Sequence, residues 1–113
     1  MSQTYKTHFS RTVAMAGSAA VALATLMLAN GWAETDSFLG EQLILGPASD
    51  VYLGDDENVR DAAGVGTYQG QLIAGGESIN LAAYRDEGSL VDPWTIWLYS
   101  AGGQNVAINY TGI

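Results

Sequence analysis

The feature that most constrains this 113-residue chain is a run of 22 residues without a charged side chain, from Thr12 to Ala33. Lys6 and Arg11 precede this run, and no acidic residue does. A basic start, an apolar middle and a small-residue end are the three parts of a secretory signal peptide. The run ends in a small-x-small sequence at residues 31–33, so we predict a signal peptide over residues 1–33, cleaved after Ala33, with Ala29-Asn30-Gly31 as the second choice of cleavage site.

An uncleaved membrane anchor is the alternative interpretation of the same segment. The apolar run from Thr12 to Ala29 is 18 residues long, which is at the lower end of the range for a spanning helix. If residues 12–29 are retained as an anchor, the protein is a membrane-attached accessory subunit.

The charges that follow the predicted signal peptide exclude several classes of function. Residues 34–113 carry all 12 acidic residues but only two bases, Arg60 and Arg85, for a net charge of −10. Such a surface repels nucleic acid and anionic lipid. This part of the chain also has no Lys, His or Cys, so it lacks the residues of Ser-His-Asp sites, Schiff bases and common zinc sites. We expect no enzymatic activity, no cofactor, no nucleic-acid partner, and membrane contact only through an uncleaved N-terminal segment.

Residues 34–113 show the period-two alternation of β-strands, with β-branched and aromatic residues enriched. Six segments are strand candidates: residues 43–45, 49–53, 67–74, 78–84, 94–99 and 105–111. We therefore predict an all-β domain over residues 34–113, a small antiparallel sandwich or barrel-like domain of about six short strands.

Two similar glycine loops join these candidates in pairs. Ala74-Gly75-Gly76 and Ala101-Gly102-Gly103 lie 27 residues apart, and Gly-Gly between alternating apolar runs is typical of hairpin turns. We predict two β-hairpins, joined by the polar loop at residues 85–93. The alternatives are two ordinary hairpins of one sandwich and a true internal repeat.

The segment from Trp94 to Tyr99 carries more large side chains than one face of a sheet can bury. Alternation places Trp94 on the face of Ile96 and Leu98, with Trp97 and Tyr99 on the opposite face. Either the strand is covered on both faces, or these aromatics are exposed. An exposed aromatic face of Trp94, Trp97 and Tyr99 is typical of a protein interface or a sugar-stacking surface.

An acidic loop around residues 55–61 is the only candidate for a metal site. Val59 and Arg60 stand where an EF-hand needs an oxygen ligand and glycine, which excludes that motif. A weak calcium site formed by Asp55, Glu57 and Asp61 and an ordinary solvated loop remain the two interpretations.

A domain of about 80 residues without disulfides or an evident metal is expected to have a low free energy of unfolding. We therefore expect association with other chains to stabilise it. The C-terminal strand, with Val106, Ile108 and Tyr110 on one face, is predicted to lie at an open sheet edge and pair with a neighbour. We predict an exported structural subunit of a periplasmic, cell-surface or extracellular assembly, including a filament, that self-associates or joins a larger complex. The alternative is a small monomeric binding module for a polysaccharide or another uncharged ligand.

Overall fold

The computed structural model describes residues 8–33, 39–81 and 90–112. These residues form ten β-strands, one α-helix and one 3-10 turn. The elements are, in chain order, β1 (His8–Met15), β2 (Val21–Ala22), α1 (Leu23–Ala29), β3 (Gly40–Pro47), β4 (Val51–Gly54), β5 (Val59–Arg60), β6 (Tyr68–Gln69), β7 (Gln71–Ile73), β8 (Ile79–Asn80), the 3-10 turn (Pro93–Thr95), β9 (Trp97–Tyr99) and β10 (Gln104–Gly112). The all-β class is confirmed, and each of the six predicted segments contains a strand.

Eight of the strands form two four-stranded antiparallel sheets. Sheet A has the order β1-β10-β3-β8, and sheet B has the order β2-β9-β4-β7. The remaining strands, β5 and β6, pair with each other in parallel. We call residues 55–69, which contain this pair, the outer ribbon.

The core contains side chains from both sheets. On β10, Val106, Ile108 and Tyr110 are almost fully buried, while the intervening residues are exposed or half-buried. Leu43 and Leu45 of β3 alternate in the same way. One face of sheet A is therefore apolar and the other polar, as expected for an antiparallel sheet that is solvated on one side.

Residues 8–33 also belong to this core. They supply eight of the eighteen residues of the main apolar cluster, namely Phe9, Val13, Met15, Leu23, Ala24, Leu26, Met27 and Trp32. Residues 8–33, the described part of the predicted signal peptide, contain two strands and a seven-residue helix. Among the described residues, no helix has the length and hydropathy needed to cross a membrane. Cleavage after Ala33 stays a prediction.

The two glycine loops do not form hairpins, so that prediction is wrong. The loop at residues 74–76 leads from β7 in sheet B to β8 in sheet A, and the loop at residues 100–103 leads from β9 in sheet B to β10 in sheet A. The pairing partners of β10 are β1 and β3, and those of β9 are β2 and β4. Strand alternation followed by Gly-Gly is compatible with a loop that crosses from one sheet to the other as well as with a hairpin turn. The sequence pattern therefore does not distinguish these two connections.

Candidate interaction surfaces

The long open edge of the sandwich lies on β1. This strand pairs with β10 over eight residues, from His8 opposite Thr111 to Met15 opposite Gln104. Among the described strands, β10 is the only neighbour of β1, so the opposite edge of β1 is open. The edge strands β2, β7 and β8 have two or three residues each, so among the described strands β1 presents the longest unpaired row of backbone groups.

The C-terminal strand is an interior strand of this sheet. Val106, Ile108 and Tyr110 point into the core, and β10 is paired on both sides. The open edge predicted at β10 is therefore found at β1 instead. Strand β10 becomes an edge only in a chain that lacks residues 8–15, because β1 covers it along its length.

Arg11 is an exception on the inward-facing side of β1. Its neighbours of the same parity, Phe9 and Val13, are buried, whereas Arg11 is exposed. The Arg11 guanidinium donates a hydrogen bond of 2.7 Å to the carbonyl oxygen of Asn30, just beyond α1. A cation near the carboxyl end of a helix is favourable because unsatisfied carbonyls carry partial negative charge there.

The outer face of sheet B carries a row of apolar and aromatic side chains. Tyr52 of β4 stands opposite Leu72 of β7 on one side and opposite Tyr99 of β9 on the other. Directly opposed residues of antiparallel strands point to the same face, so these three side chains form a continuous row. Leu72 is 50% exposed and the two tyrosines are half-buried. We call this set the aromatic row.

The predicted aromatic residues divide between this face and a different element. Trp97 and Tyr99 are half-buried on the outer side of β9, and Leu98 between them is fully buried. Trp94 lies in the 3-10 turn and is 38% exposed, so it does not share a strand with the other two. The predicted strand at residues 94–99 begins only at Trp97.

The 3-10 turn has a local cause that is visible in the sequence. Pro93 occupies its first position, and the Asp92 carboxylate accepts a 2.9 Å hydrogen bond from the backbone N–H of Trp94. Asp followed by Pro is a recognised helix-start signal, since the acid caps the free N–H groups and proline has the required φ. The Asp92-Pro93 sequence therefore marks the start of a segment in which the side chains do not alternate as they do in a strand.

The outer ribbon covers part of sheet B beside the aromatic row. Val59 is fully buried and fits between two glycines: a Cβ at Gly54 would lie 2.6 Å from the Val59 Cβ, and a Cβ at Gly70 would lie 2.5 Å from its Cγ2. The Arg60 guanidinium carbon lies 5.4 Å from the centre of the Tyr99 ring. This cation–π contact leaves Tyr99 partly covered.

Tyr68 organises the acidic loop of the ribbon. Its hydroxyl accepts hydrogen bonds from the backbone N–H groups of Asp55 (3.0 Å) and Asp56 (3.1 Å), and it donates one to the Asp55 carboxylate (2.9 Å). Burial is the main cause that raises the pKa of the Tyr68 phenol above its usual value of 10.0. The Tyr68 hydroxyl thus ties the loop together at Asp55 and Asp56.

The structure does not assemble a calcium site from Asp55, Glu57 and Asp61. In the described ranges, no three His, Cys, Asp or Glu side chains are grouped so that they could hold a metal ion. The Asp56 carboxylate accepts a 2.8 Å hydrogen bond from the backbone N–H of Asn58, which is an ordinary turn contact.

Three of the residues that define these surfaces, Tyr52, Leu72 and Arg11, were not predicted from the sequence as surface residues. Tyr52 and Leu72 join Tyr99 only because β4 lies between β7 and β9, and strand order has no local sequence signal. From Phe9 to Met15, every second residue is apolar except Arg11. This alternation is the sequence signal that indicates a strand at β1.

Fold and surfaces together define, in the described ranges, an antiparallel β-sandwich with one long open edge and one aromatic face. No protein-family model matches the chain, and no curated protein or solved structure matches it significantly.

Proposed function

We propose that the protein is an exported, non-enzymatic structural subunit that assembles with other copies through the edge of sheet A. The observation that carries the proposal is the eight-residue strand β1, which has an open edge along its whole length in the described part of the chain. An unpaired edge of this length is a template for an added strand. Export is supported by the basic and apolar pattern of residues 1–33.

The proposal takes one of two forms, according to whether residues 1–33 remain on the mature protein. With these residues present, the added strand pairs with β1. Without them, the nine-residue edge of β10 is uncovered and eight core side chains are lost, so a replacement strand from another molecule is needed to close the core. An intact mass of the exported protein distinguishes the two forms.

The edge is tested by placing a lysine at its centre, because charged side chains on an edge strand oppose pairing. Thr12→Lys applies to the form that retains β1, and Ala107→Lys applies to the form that begins at residue 34; both side chains point outward. We expect the oligomer measured by size-exclusion chromatography with light scattering to become a monomer. Val65→Lys, at a fully exposed position of the outer ribbon, adds the same charge and should leave the oligomer intact. A monomeric parent protein contradicts the proposal.

A second candidate is a binding module for an uncharged polysaccharide, and the aromatic row favours it. Tyr52, Tyr99 and Leu72 present flat apolar surface across three adjacent strands, and aromatic rings stack on sugars. Tyr52→Ala should abolish retention on insoluble neutral polysaccharides without unfolding the chain. Trp97→Ala serves as a second variant: loss of stability indicates a packing role, and loss of binding in a folded chain indicates a ligand role.

A further inference from the structure

The backbone of β1 alternates between residues that bond to β10 and residues that face the open edge. The N–H of Ala48, just after β3, donates a 2.9 Å hydrogen bond to the carbonyl oxygen of Asn105 in β10. Asn105 therefore turns its backbone groups toward β3, and the next residue, Val106, turns them toward its partner Val13 in β1. The odd-numbered residues of β1 consequently bond to β10. The backbone groups at the open edge belong to the even-numbered residues, His8, Ser10, Thr12 and Ala14.

The same even-numbered residues point their side chains away from the core. They are exposed, whereas Phe9, Val13 and Met15 on the opposite face are buried. An antiparallel strand added at this edge keeps its apolar face on the core side if its own free backbone groups belong to residues that also point outward. Strand β1 of a second copy has this property.

The other edges of the two sheets in the described part of the chain are too short to be the partner. Strands β2, β7 and β8 have two or three residues each, so a head-to-tail contact would leave most of β1 unpaired. Two copies of β1 pair along almost their whole length. Contact between identical surfaces of two copies is the arrangement of a two-fold dimer, the commonest symmetry of soluble oligomers.

Two antiparallel registers pair nearly all of β1, and charge distinguishes them. A register centred on Arg11 pairs residues 8–14 and places the two Arg11 residues directly opposite each other, with about 4.5 Å between their Cα atoms. Like charges in this position are destabilising. A register centred on Thr12 pairs residues 9–15 and places Arg11 opposite Val13. It joins the two threonines in a hydrogen-bonded pair with about 5.5 Å between their Cα atoms, and facing threonines are a favourable pair.

We propose that the partner at the open edge of sheet A is β1 of a second copy, paired antiparallel about a two-fold axis that passes between the two Thr12 residues. This inference rests on the proposed assembly through that edge, in the form that retains residues 8–33, and it names the partner strand and the register. The two copies of sheet A become one continuous sheet. Because the contact uses the same surface of both copies, it closes after two copies, and β1 does not extend a filament.

The test uses single cysteines in the full 113-residue chain, which has no cysteine of its own. A disulfide needs Cα atoms about 4.4–6.8 Å apart, which the two Thr12 positions satisfy. On mild oxidation, Thr12→Cys should form a covalent dimer on a non-reducing gel. Ser10→Cys and Ala14→Cys are the matched controls, because each is also exposed but lies about 14 Å from its counterpart in this register. We expect both to stay uncross-linked, as should Val65→Cys at an exposed position of the outer ribbon.

Hydrogen exchange of the unmodified chain, followed by NMR, gives a second measurement that does not depend on a substitution. The backbone N–H groups of Ser10, Thr12 and Ala14 should exchange slowly in the dimer and rapidly when dilution yields the monomer, because the second β1 accepts their hydrogen bonds. Those of Arg11 and Val13 bond to β10 and should stay protected in both states.

The outcomes separate this inference from the proposed assembly. A parent chain that is monomeric by size-exclusion chromatography with light scattering contradicts both. An oligomer that Thr12→Lys dissociates but Thr12→Cys does not cross-link keeps the proposed assembly and overturns β1 as the partner strand. Equal cross-linking of Ser10→Cys and Thr12→Cys overturns the register, since it centres the contact on Arg11. Covalent dimers from Thr12→Cys alone support the inference.

Discussion

The side-chain amide of Gln104 donates a 3.0 Å hydrogen bond to the backbone carbonyl of Asp50, so the first residue of β10 is tied to the residue that precedes β4. The same amide nitrogen lies 2.8 Å from the Ser100 hydroxyl, and the Gln104 carbonyl oxygen accepts a 2.9 Å hydrogen bond from the backbone N–H of Ser49. Gln104 therefore connects two of the loops that cross between the sheets.

Gln104→Ala should lower the free energy of unfolding by about 1 kcal/mol, because it removes these bonds at a half-buried position where water replaces part of them. Urea denaturation followed by tryptophan fluorescence measures the change. Asn105→Ala, the exposed neighbour on the same strand, is the control and should change stability by less than about 0.5 kcal/mol. Equal effects of the two substitutions would argue against a connecting role for Gln104.

Gly17→Ala should destabilise the full-length chain by about 1–3 kcal/mol, since a Cβ there would lie 2.5–2.7 Å from backbone atoms of Gly102 and Gly103 that have little room to move. Gly102→Ala is the matched control on the opposite side of this contact, because a Cβ at Gly102 meets no atom within 4 Å. Thermal unfolding of both variants gives the comparison. If the mature protein begins at residue 34, Gly17→Ala has no effect on its stability.

Tyr68 should make the stability of the outer ribbon sensitive to alkaline pH. Its folded-state pKa is raised, so its contribution is fully present below pH 10 and is lost as the pH rises through the folded pKa. Below pH 10, Tyr68→Phe should be less stable than the parent chain because two backbone N–H groups lose their acceptor. Unfolding free energies at pH 8, 10 and 11 should show this difference shrinking, with Tyr52→Phe as the control for loss of a hydroxyl. A difference that stays constant up to pH 11 would contradict the assignment.

Refolding should be slow for a chain of this length, in milliseconds to seconds. Every pair of strands in sheets A and B joins strands that are not consecutive in the chain, so long segments must be brought together before the pairs form. Stopped-flow dilution from urea, followed by tryptophan fluorescence, measures the rate. Refolding in microseconds would be incompatible with this topology.

Sequence reasoning identified the strands more reliably than their partners. In residues 105–111 and 67–74, apolar and polar side chains alternate because every second residue of a strand points into the core. This alternation is visible in the sequence itself. The partners of β7 and β9 depend on strand order across the core, and the Gly-Gly loops are compatible with either a hairpin or a crossing. Trp94 is the exception among the local features, because the Asp92-Pro93 start signal places it in a 3-10 turn, where alternation does not hold.

The candidate surfaces were predictable only in part, for the same reason. Trp97 and Tyr99 share a face because they lie two residues apart on one strand, as alternation requires. The charge-free run from Thr12 to Ala33 fits a signal peptide by composition, yet a sandwich core requires the same apolar residues. Strand β1 pairs with β10, which lies about one hundred residues further along the chain. The sequence of neither strand by itself indicates this pairing.

The pairing of β1 with β10 sets an order of events during synthesis. Strand β1 leaves the ribosome long before its partner β10, so sheet A stays incomplete until residues 104–112 have been made. Until then, β1 lacks its partner strand in sheet A. During this time the chain is unfolded and can bind the chaperones or export factors that recognise unfolded chains. A ribosome that stops before residue 104 releases a product in which the side chains of Phe9, Val13 and Met15 lack their partner strand.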